Sequence, residues 1–182
     1  MPVTDELLKN NERFAESFDK GDKPMPPARK LAVVACMDAR LHVSKLLGLD
    51  IGDAHIIRNA GGVVSDDVIR SLVISQRLLG TEEIILIHHT DCGMLTFEDD
   101  AVKAQIKDEI GIRPPFALEA FLDVDDDVRQ SIARLKASPF IPRRDNVRGF
   151  VYDVKAGRLR EVEGGDLEVT GASASLPQAA VR

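Results

Sequence analysis

The chain has 182 residues, of which 44% are hydrophobic and 30% are charged, so it is long enough to bury the core of one soluble globular domain. Its net charge of −6 disfavours a phosphate-backbone partner, and an aromatic content of 4% without tryptophan disfavours a base-stacking surface for single-stranded nucleic acid. No apolar stretch is long enough to span a bilayer, and residues 1–20 are too polar for a signal peptide, so we expect a cytoplasmic protein without nucleic-acid or membrane partners.

The amino-terminal segment, residues 1–27, is predicted to be a helical arm followed by a linker. Thr4 is placed to cap a helix over residues 4–18, which has an acidic first turn and apolar residues at helical spacing. Three prolines within residues 21–28 exclude a helix there and favour a stiff, extended connection. We therefore expect the helix to stand away from its own domain and to pack on a partner subunit.

After the linker, the sequence alternates between strand patterns and helix patterns. Continuous apolar runs over 31–36 and 82–87 are typical of strands that are buried on both faces of a parallel sheet, and a shorter strand is predicted over 54–58. Between the last two strands, Ser65 is placed to cap a helix that ends before Gly80. This alternation predicts an α/β fold with a mainly parallel central sheet flanked by helices.

Two further helices and two antiparallel strands complete the predicted single domain, which spans residues 28–163. A short turn that contains Gly157 separates the two strands and makes them a β-hairpin. Residues 164–182 are small and polar, with little to bury, so we expect a flexible tail. The predicted helices cover 103–110 and 125–137, and the predicted strands cover 147–154 and 158–162.

Three candidate metal ligands fall at the carboxyl ends of the predicted strands. Cys36 ends the first strand, and His89 and Cys92 follow the third, so all three should meet at the edge where sites assemble in open parallel sheets. Two thiolates and one imidazole suit zinc, and three protein ligands leave a fourth position free, as in a catalytic zinc site. The sequence therefore predicts one Zn2+ per chain; a buried core cysteine is the alternative for Cys36 taken alone.

Two charged residues lie close to the first thiol. Asp38 follows Cys36 by two residues, where its carboxylate would accept a hydrogen bond from a metal-bound water or occupy the fourth position itself. Arg40 is placed to hold that carboxylate through a bidentate pair. A surface ion pair of little energetic importance is the alternative, and the location beside a predicted ligand favours a catalytic role.

Four other residues in this part of the chain receive structural interpretations. Strand alternation points His88 away from His89, so we expect His88 to be a hydrogen-bonded core or interface residue. His42 and His55 are candidates for a proton relay, yet structural roles are expected for both. Asp91 is expected to be a turn residue.

The segments that carry these residues resemble the motifs of β-class carbonic anhydrases. The similarity extends from about residue 28 to residue 162, and its overall character is that of the small bacterial, actinobacterial-type members. Any one motif is weak evidence, whereas several in the family's order are strong evidence. The matching segments are Cys36-Met37-Asp38-Ala39-Arg40, Arg58-Asn59-Ala60-Gly61, His89-Thr90-Asp91-Cys92-Gly93 and Gly149-Phe150-Val151-Tyr152-Asp153-Val154.

The resemblance implies the reversible hydration of CO2 to bicarbonate and a proton by zinc-bound hydroxide. It implies that Cys36, His89 and Cys92 bind the zinc. It also implies that Asp38 and Arg40 form a dyad that orients the hydroxide, with Asp38 as a candidate fourth ligand in a closed state. Finally, it implies a homodimer, or a tetramer, in which the N-terminal helices embrace the partner.

Three other functions share parts of this pattern. A carbonyl sulfide hydrolase would use the same zinc site on a similar linear substrate, and the motifs do not separate the two activities. A thiol enzyme with Cys36 as nucleophile is disfavoured, because a phosphatase-type loop needs a longer spacing than the three residues between Cys36 and Arg40. A non-catalytic zinc- or bicarbonate-binding protein would be favoured by a closed fourth ligand, for which Asp38 is the candidate.

Overall fold

The structure is a computed structural model that describes residues 2–163, and the predicted flexible tail at 164–182 lies outside the described residues. The strands are β1 (Leu31–Cys36), β2 (Ala54–Asn59), β3 (Glu83–His89), β4 (Val147–Asp153) and β5 (Arg158–Val162). The helices are α1 (Val3–Glu16), α2 (Val43–Leu47), α3 (Asp66–Arg77), α4 (Asp99–Ile110) and α5 (Val124–Ala137), with a short 3-10 helix at Gly93–Leu95.

The five strands form one sheet in the order β2-β1-β3-β4-β5. Strands β1 to β4 are parallel, and β5 returns antiparallel to β4, so that Val162 pairs with Gly149. The predicted fold class is confirmed: a single α/β domain with a mainly parallel central sheet, flanking helices and a C-terminal antiparallel hairpin. Among the helices of residues 2–163, none combines the length and the apolar character that crossing a bilayer requires.

Two apolar cores cover the two faces of the sheet. Because successive side chains of a strand point to opposite sides, β1 sends Val34 into the core beneath α3 and α5 and Val33 into the opposite core. We call the first side the α3/α5 face. The second side, whose core includes Cys36 and Cys92, is called the ligand face.

Helix α1 makes little contact with the rest of the described chain, since none of its residues is buried. The predicted cap at Thr4 is wrong: the helix begins one residue earlier, with Pro2 at the N-cap position and no side-chain capping bond. Proline suits this end of a helix because its missing N–H would have no partner there. The exposed apolar side chains of this segment are Val3, Leu7, Leu8, Phe14 and Phe18.

Two helices near the carboxyl edge of the sheet differ from the sequence pattern. Helix α2 is not predicted by the sequence; His42 caps it by accepting the Lys45 N–H on Nδ1 at 3.4 Å. Helix α4 begins at Asp99 instead of residue 103. The Asp99 carboxylate accepts three backbone N–H groups from residues 118–120, at 2.7, 3.3 and 3.0 Å, and so ties the following loop to the start of the helix.

Candidate metal centre

The structure brings Cys36, His89 and Cys92 together at the carboxyl ends of β1 and β3. Cys36 and His89 are the last residues of these strands, and Cys92 lies at the start of the 3-10 helix that follows β3. One ligand atom from each residue, a ring nitrogen and the two Sγ atoms, lies within 4.8 Å of the other two. All three side chains are buried.

The hydrogen bonds of His89 leave one nitrogen available to a metal. Its Nδ1 lies 2.9 Å from the carbonyl oxygen of Thr90, which can only accept, so Nδ1 carries the proton. The other nitrogen, Nε2, is buried and has no hydrogen-bond partner. An orphaned buried acceptor is unfavourable, and a histidine that donates Nδ1–H to a carbonyl is the usual second-shell arrangement of a metal ligand. With two cysteine sulfurs as the other donors, these residues fit a zinc ion.

The two thiols of the cluster differ in acidity because they face each other. The hydrogen bond from Cys92 is the main reason that the pKa of Cys36 is lowered, and His89 adds to this effect. The same contact, together with burial, raises the pKa of Cys92 well above its usual range. Two adjacent thiolates repel each other, so one proton stays on the pair unless a cation lies between them. A divalent metal would let both ionise.

Asp38 and Arg40 form a bidentate ion pair beside the cluster. Arg40 donates from Nε to Asp38 Oδ1 at 3.0 Å and from Nη2 to Oδ2 at 2.8 Å, and its backbone N–H also donates to Oδ1 at 2.8 Å. These bonds hold the pKa of the Asp38 carboxyl well below its usual range, so the group is ionised at neutral pH. Its Oδ2 lies 3.8 Å from Nε2 of His89, which places a negative charge at the border of the cluster.

Asp91 belongs to the same network, which goes beyond the turn role that the sequence suggested. Arg40 donates from Nη1 to Asp91 Oδ2 at 2.8 Å and from Nη2 to the Asp91 carbonyl at 3.0 Å. The pKa of Asp91 is lowered by this guanidinium. Since Asp91 and Arg40 are 51 residues apart, no local sequence signal indicates their contact.

The end of β2 and the glycines that follow it support the backbone that carries Cys36. Arg58 donates from Nε and Nη2 to the Cys36 carbonyl at 3.0 and 2.7 Å, and from Nη2 to the Asp38 carbonyl at 2.7 Å. Gly62 has a φ of +76°, and a Cβ there would lie 2.8 Å from the backbone nitrogen of Cys36 and 2.9 Å from the carbonyl of Ile87. Glycine is therefore required both by its conformation and by the close approach.

A cavity of about 450 Å³ opens over the ligand cluster. Asp38 and the cluster line it on one side, and Thr96 adds a hydroxyl group. The rest of its lining is mostly apolar and includes Met37, Ala60, Gly61, Met94 and Phe97. Such a cavity admits a small, uncharged molecule to the cluster.

The other three histidines lie outside the cluster, and each of them has a hydrogen-bond partner elsewhere in the fold. His88 is fully buried, and its Nε2 lies 2.6 Å from Oδ2 of Asp127 on α5. His55 lies 2.8 Å from Ser75 Oγ through Nδ1, and burial lowers its pKa. His42 caps α2.

Known proteins share both the sequence and the geometry of this centre. A family model described as carbonic anhydrase matches residues 31–115, which contain all three members of the cluster. The chain is 59% identical to β-carbonic anhydrase 1 of Mycobacterium tuberculosis over 162 residues, which cover 89% of this chain and 99% of that protein. The chain belongs to the β-carbonic anhydrase family. The resemblance of its motifs to this family is thereby confirmed.

Other relatives of this β-carbonic anhydrase show how far the fold extends. The crystal structure of a carbonic anhydrase from Streptococcus mutans superimposes with a TM-score of 0.84 at 46% identity, covering 90% of this chain and 99% of that one. A protein named carbon disulfide hydrolase, from Acidithiobacillus thiooxidans, is 37% identical over 157 residues, which cover 75% of this chain and 78% of that protein. The relatives of this chain thus include proteins named as carbonic anhydrases and a protein named as a carbon disulfide hydrolase.

Proposed function

We propose that this chain catalyses the reversible hydration of CO2 to bicarbonate and a proton with one Zn2+ per chain. Cys36, His89 and Cys92 would hold the ion, and the unpartnered, buried Nε2 of His89 beside two thiols is the observation that carries the proposal. When bound, zinc would supply Lewis acidity and make water a better nucleophile at neutral pH. Family membership supports the same activity.

The residues around the cluster would orient the reactants. Because the Asp38 carboxylate is ionised, it can accept but not donate a hydrogen bond, so it would direct the proton of the attacking oxygen towards itself and a lone pair towards the carbon. Arg40 occupies both carboxylate oxygens and thus limits the rotation of Asp38. The mostly apolar walls of the cavity would receive CO2, which has no net dipole, and reduce the number of competing waters.

The first experiment is stopped-flow CO2 hydration by zinc-loaded protein at alkaline pH, with the variant Cys92→Ser beside it. We expect rapid turnover in the natural chain and its loss in the variant, together with loss of stoichiometric zinc. Absence of turnover in a natural chain that holds one zinc would overturn the proposal and favour a non-catalytic zinc- or bicarbonate-binding protein.

Hydrolysis of carbonyl sulfide or carbon disulfide is a second candidate activity for the same centre. Met37 and Met94 put polarisable thioethers on the cavity wall, which suits a sulfur-containing linear substrate. The protein named carbon disulfide hydrolase, at 37% identity, supports testing it. Sulfide release from carbonyl sulfide and from carbon disulfide would be compared with CO2 hydration on the same zinc-loaded sample. The comparison would rank the three substrates by kcat/KM.

We also propose that two chains form a homodimer through α1. The helix exposes its apolar side chains, and a groove of about 690 Å³ between α3 and α5 offers a mostly apolar surface on a second copy. The apolar residues that line the groove are Ile69, Val73, Ile74, Ala137 and Phe140.

Sedimentation of Leu7→Glu tests this dimer, with Glu12→Gln on the same helix as the control. Leu7 is apolar and exposed in the single chain, and the proposed dimer would bury it. A charge at this position should therefore disrupt the dimer and release monomers. The control should sediment as the natural chain does. A natural chain that sediments as a monomer would contradict the proposal, and a tetramer would mean that a second interface exists.

A cytoplasmic location completes the proposal. Cys36 and Cys92 must both stay reduced to bind a metal, and the reducing conditions of the cytoplasm favour this state. Fractionation of the source cells, followed by immunodetection, would check the location.

A further inference from the structure

We propose that Asp91 is a positioning residue that fixes Arg40 from the β3 side and thereby sets the direction of Asp38. The inference deepens the proposed function, because it concerns the carboxylate that would face the reacting oxygen. It assigns a role to a residue that the hydration reaction itself does not require.

The guanidinium of Arg40 is held on two sides. One side bonds Asp38 through Nε and Nη2, at 3.0 and 2.8 Å. The other bonds Asp91 through Nη1 to the carboxylate at 2.8 Å and through Nη2 to the main-chain carbonyl at 3.0 Å. Since the guanidinium is planar and its donors have fixed directions, bonds on two sides determine its orientation.

The contact with Asp91 supplies a link that the Asp38–Arg40 pair cannot supply alone. Asp38 and Arg40 lie two residues apart in the loop after β1, so their pair cannot by itself connect that loop to the loop after β3. Asp91 lies in the loop after β3, between His89 and Cys92. The contact therefore connects the two loops across the sheet edge and holds Asp38 at a constant distance from the cluster.

Stability does not explain this arrangement. The side chains of Asp91 and Arg40 are 70% and 46% exposed, and ion pairs at such exposure contribute little to folding. Asp91 also adopts a φ of +56°, a left-handed conformation that costs energy for residues other than glycine. That conformation places both its carbonyl and its carboxylate on Arg40, so the geometry points to positioning.

The test compares Asp91→Asn with Asp126→Asn, which removes a similarly exposed ion pair, to Arg129 on α5. Asparagine tolerates the left-handed conformation and keeps the carbonyl contact, so only the charge is removed. We expect kcat to fall about tenfold in Asp91→Asn, with KM and zinc content unchanged, as is typical for outer-shell partners. The control should match the natural chain.

Two further measurements separate positioning from a general effect on the turn. Exchange of the Arg40 Nε proton with solvent, followed by NMR, should be faster in Asp91→Asn. In an Arg40→Gln background, Asp91→Asn should have no additional effect on kcat, because there is no guanidinium left to position.

Three results would overturn the proposal: a kcat change below about twofold in Asp91→Asn, an equal loss in the Arg40→Gln background, or unchanged Nε proton exchange. Failure of the proposed function is distinguishable from these. If the natural chain does not hydrate CO2 but the Arg40 proton exchanges faster in Asp91→Asn, the positioning contact stands and the assigned reaction falls.

Discussion

His88 and His89 are neighbours on β3, yet their side chains lie on opposite faces of the sheet. Both are fully buried, and each has one hydrogen-bonded ring nitrogen and one without a partner. The difference lies in the surroundings: a ring nitrogen of His89 lies within 4.8 Å of two sulfurs, and among residues 2–163 no such cluster includes His88. A buried, unpartnered nitrogen therefore does not by itself indicate a metal site; the two neighbouring sulfurs do.

Replacing each histidine with alanine should give the largest difference between the two faces in zinc binding and activity. We expect His89→Ala to lower both zinc affinity and CO2 hydration by more than about 100-fold, beyond the range that outer-shell changes reach. We expect His88→Ala to retain one zinc per chain. Zinc content by mass spectrometry and stopped-flow rates would check both, and zinc loss in His88→Ala would contradict the comparison.

The cost of His88→Ala should appear in folding stability instead. The substitution leaves Asp127 without its 2.6 Å hydrogen bond and opens a cavity under α5, so the free energy of unfolding should fall by about 1–3 kcal/mol. Urea denaturation of the metal-free chain measures this. Asp127→Asn, which keeps a hydrogen-bonding side chain, is the matched control and should lose less.

Adding a methyl group at a glycine on each face of the sheet tests the same difference between the two faces. A Cβ at Gly62 would press on the backbone of Cys36, whereas one at Gly149 would lie 2.9 Å from Cδ1 of Ile132 on the α3/α5 face. The loss of stability should be about 1–3 kcal/mol in Gly149→Ala and larger in Gly62→Ala, where the left-handed conformation adds strain. Only Gly62→Ala should also weaken zinc binding in a chelator competition, and equal zinc affinities in the two variants would refute this distinction.

The smallest effect is expected from an ion pair on the α3/α5 face. Arg160 on β5 bonds both carboxylate oxygens of Asp125 on α5, at 2.9 and 2.7 Å, and lowers the pKa of Asp125. A lowered carboxyl pKa stabilises the fold above the unfolded value of about 3.9, and this contribution is lost as pH falls through the folded value.

Asp125→Asn should therefore cost less than about 1 kcal/mol at neutral pH, and the difference from the natural chain should shrink on acidification. Urea denaturation at several pH values measures it, with zinc content as an internal check that should not change. A difference that grows as pH falls would contradict the assignment.

Local sequence patterns were sufficient to predict most of the sheet and the residues of the cluster. The apolar runs that end at Cys36 and His89 are visible without tertiary information, because burial on both faces of a parallel strand selects continuous hydrophobic residues. The cap at Ser65 was equally local, and its side chain accepts the Val68 N–H at 3.4 Å.

The features that the sequence did not predict depend on distant or very short segments. Helix α2 has five residues, too few for a periodic pattern. The contact between Arg40 and Asp91 requires two strands to be adjacent before the loops can meet. The start of α4 at Asp99 depends on backbone groups about twenty residues further along the chain. The cap predicted at Thr4 was wrong because the helix already begins at Val3, with Pro2 at the N-cap position.

The hydrogen bonds between Asp99 and the backbone of residues 118–120 anchor a segment that forms part of the cavity wall. The segment from residue 93 to residue 121 also carries Met94 and Phe97 of the cavity wall, and it ends with Phe121, whose ring would lie 3.2 Å from a Cβ at Gly61. One continuous segment after Cys92 thus forms much of the cavity wall and also contains the hydrogen bonds that anchor it. Substitutions in this segment therefore change the cavity without altering Cys36, His89 or Cys92.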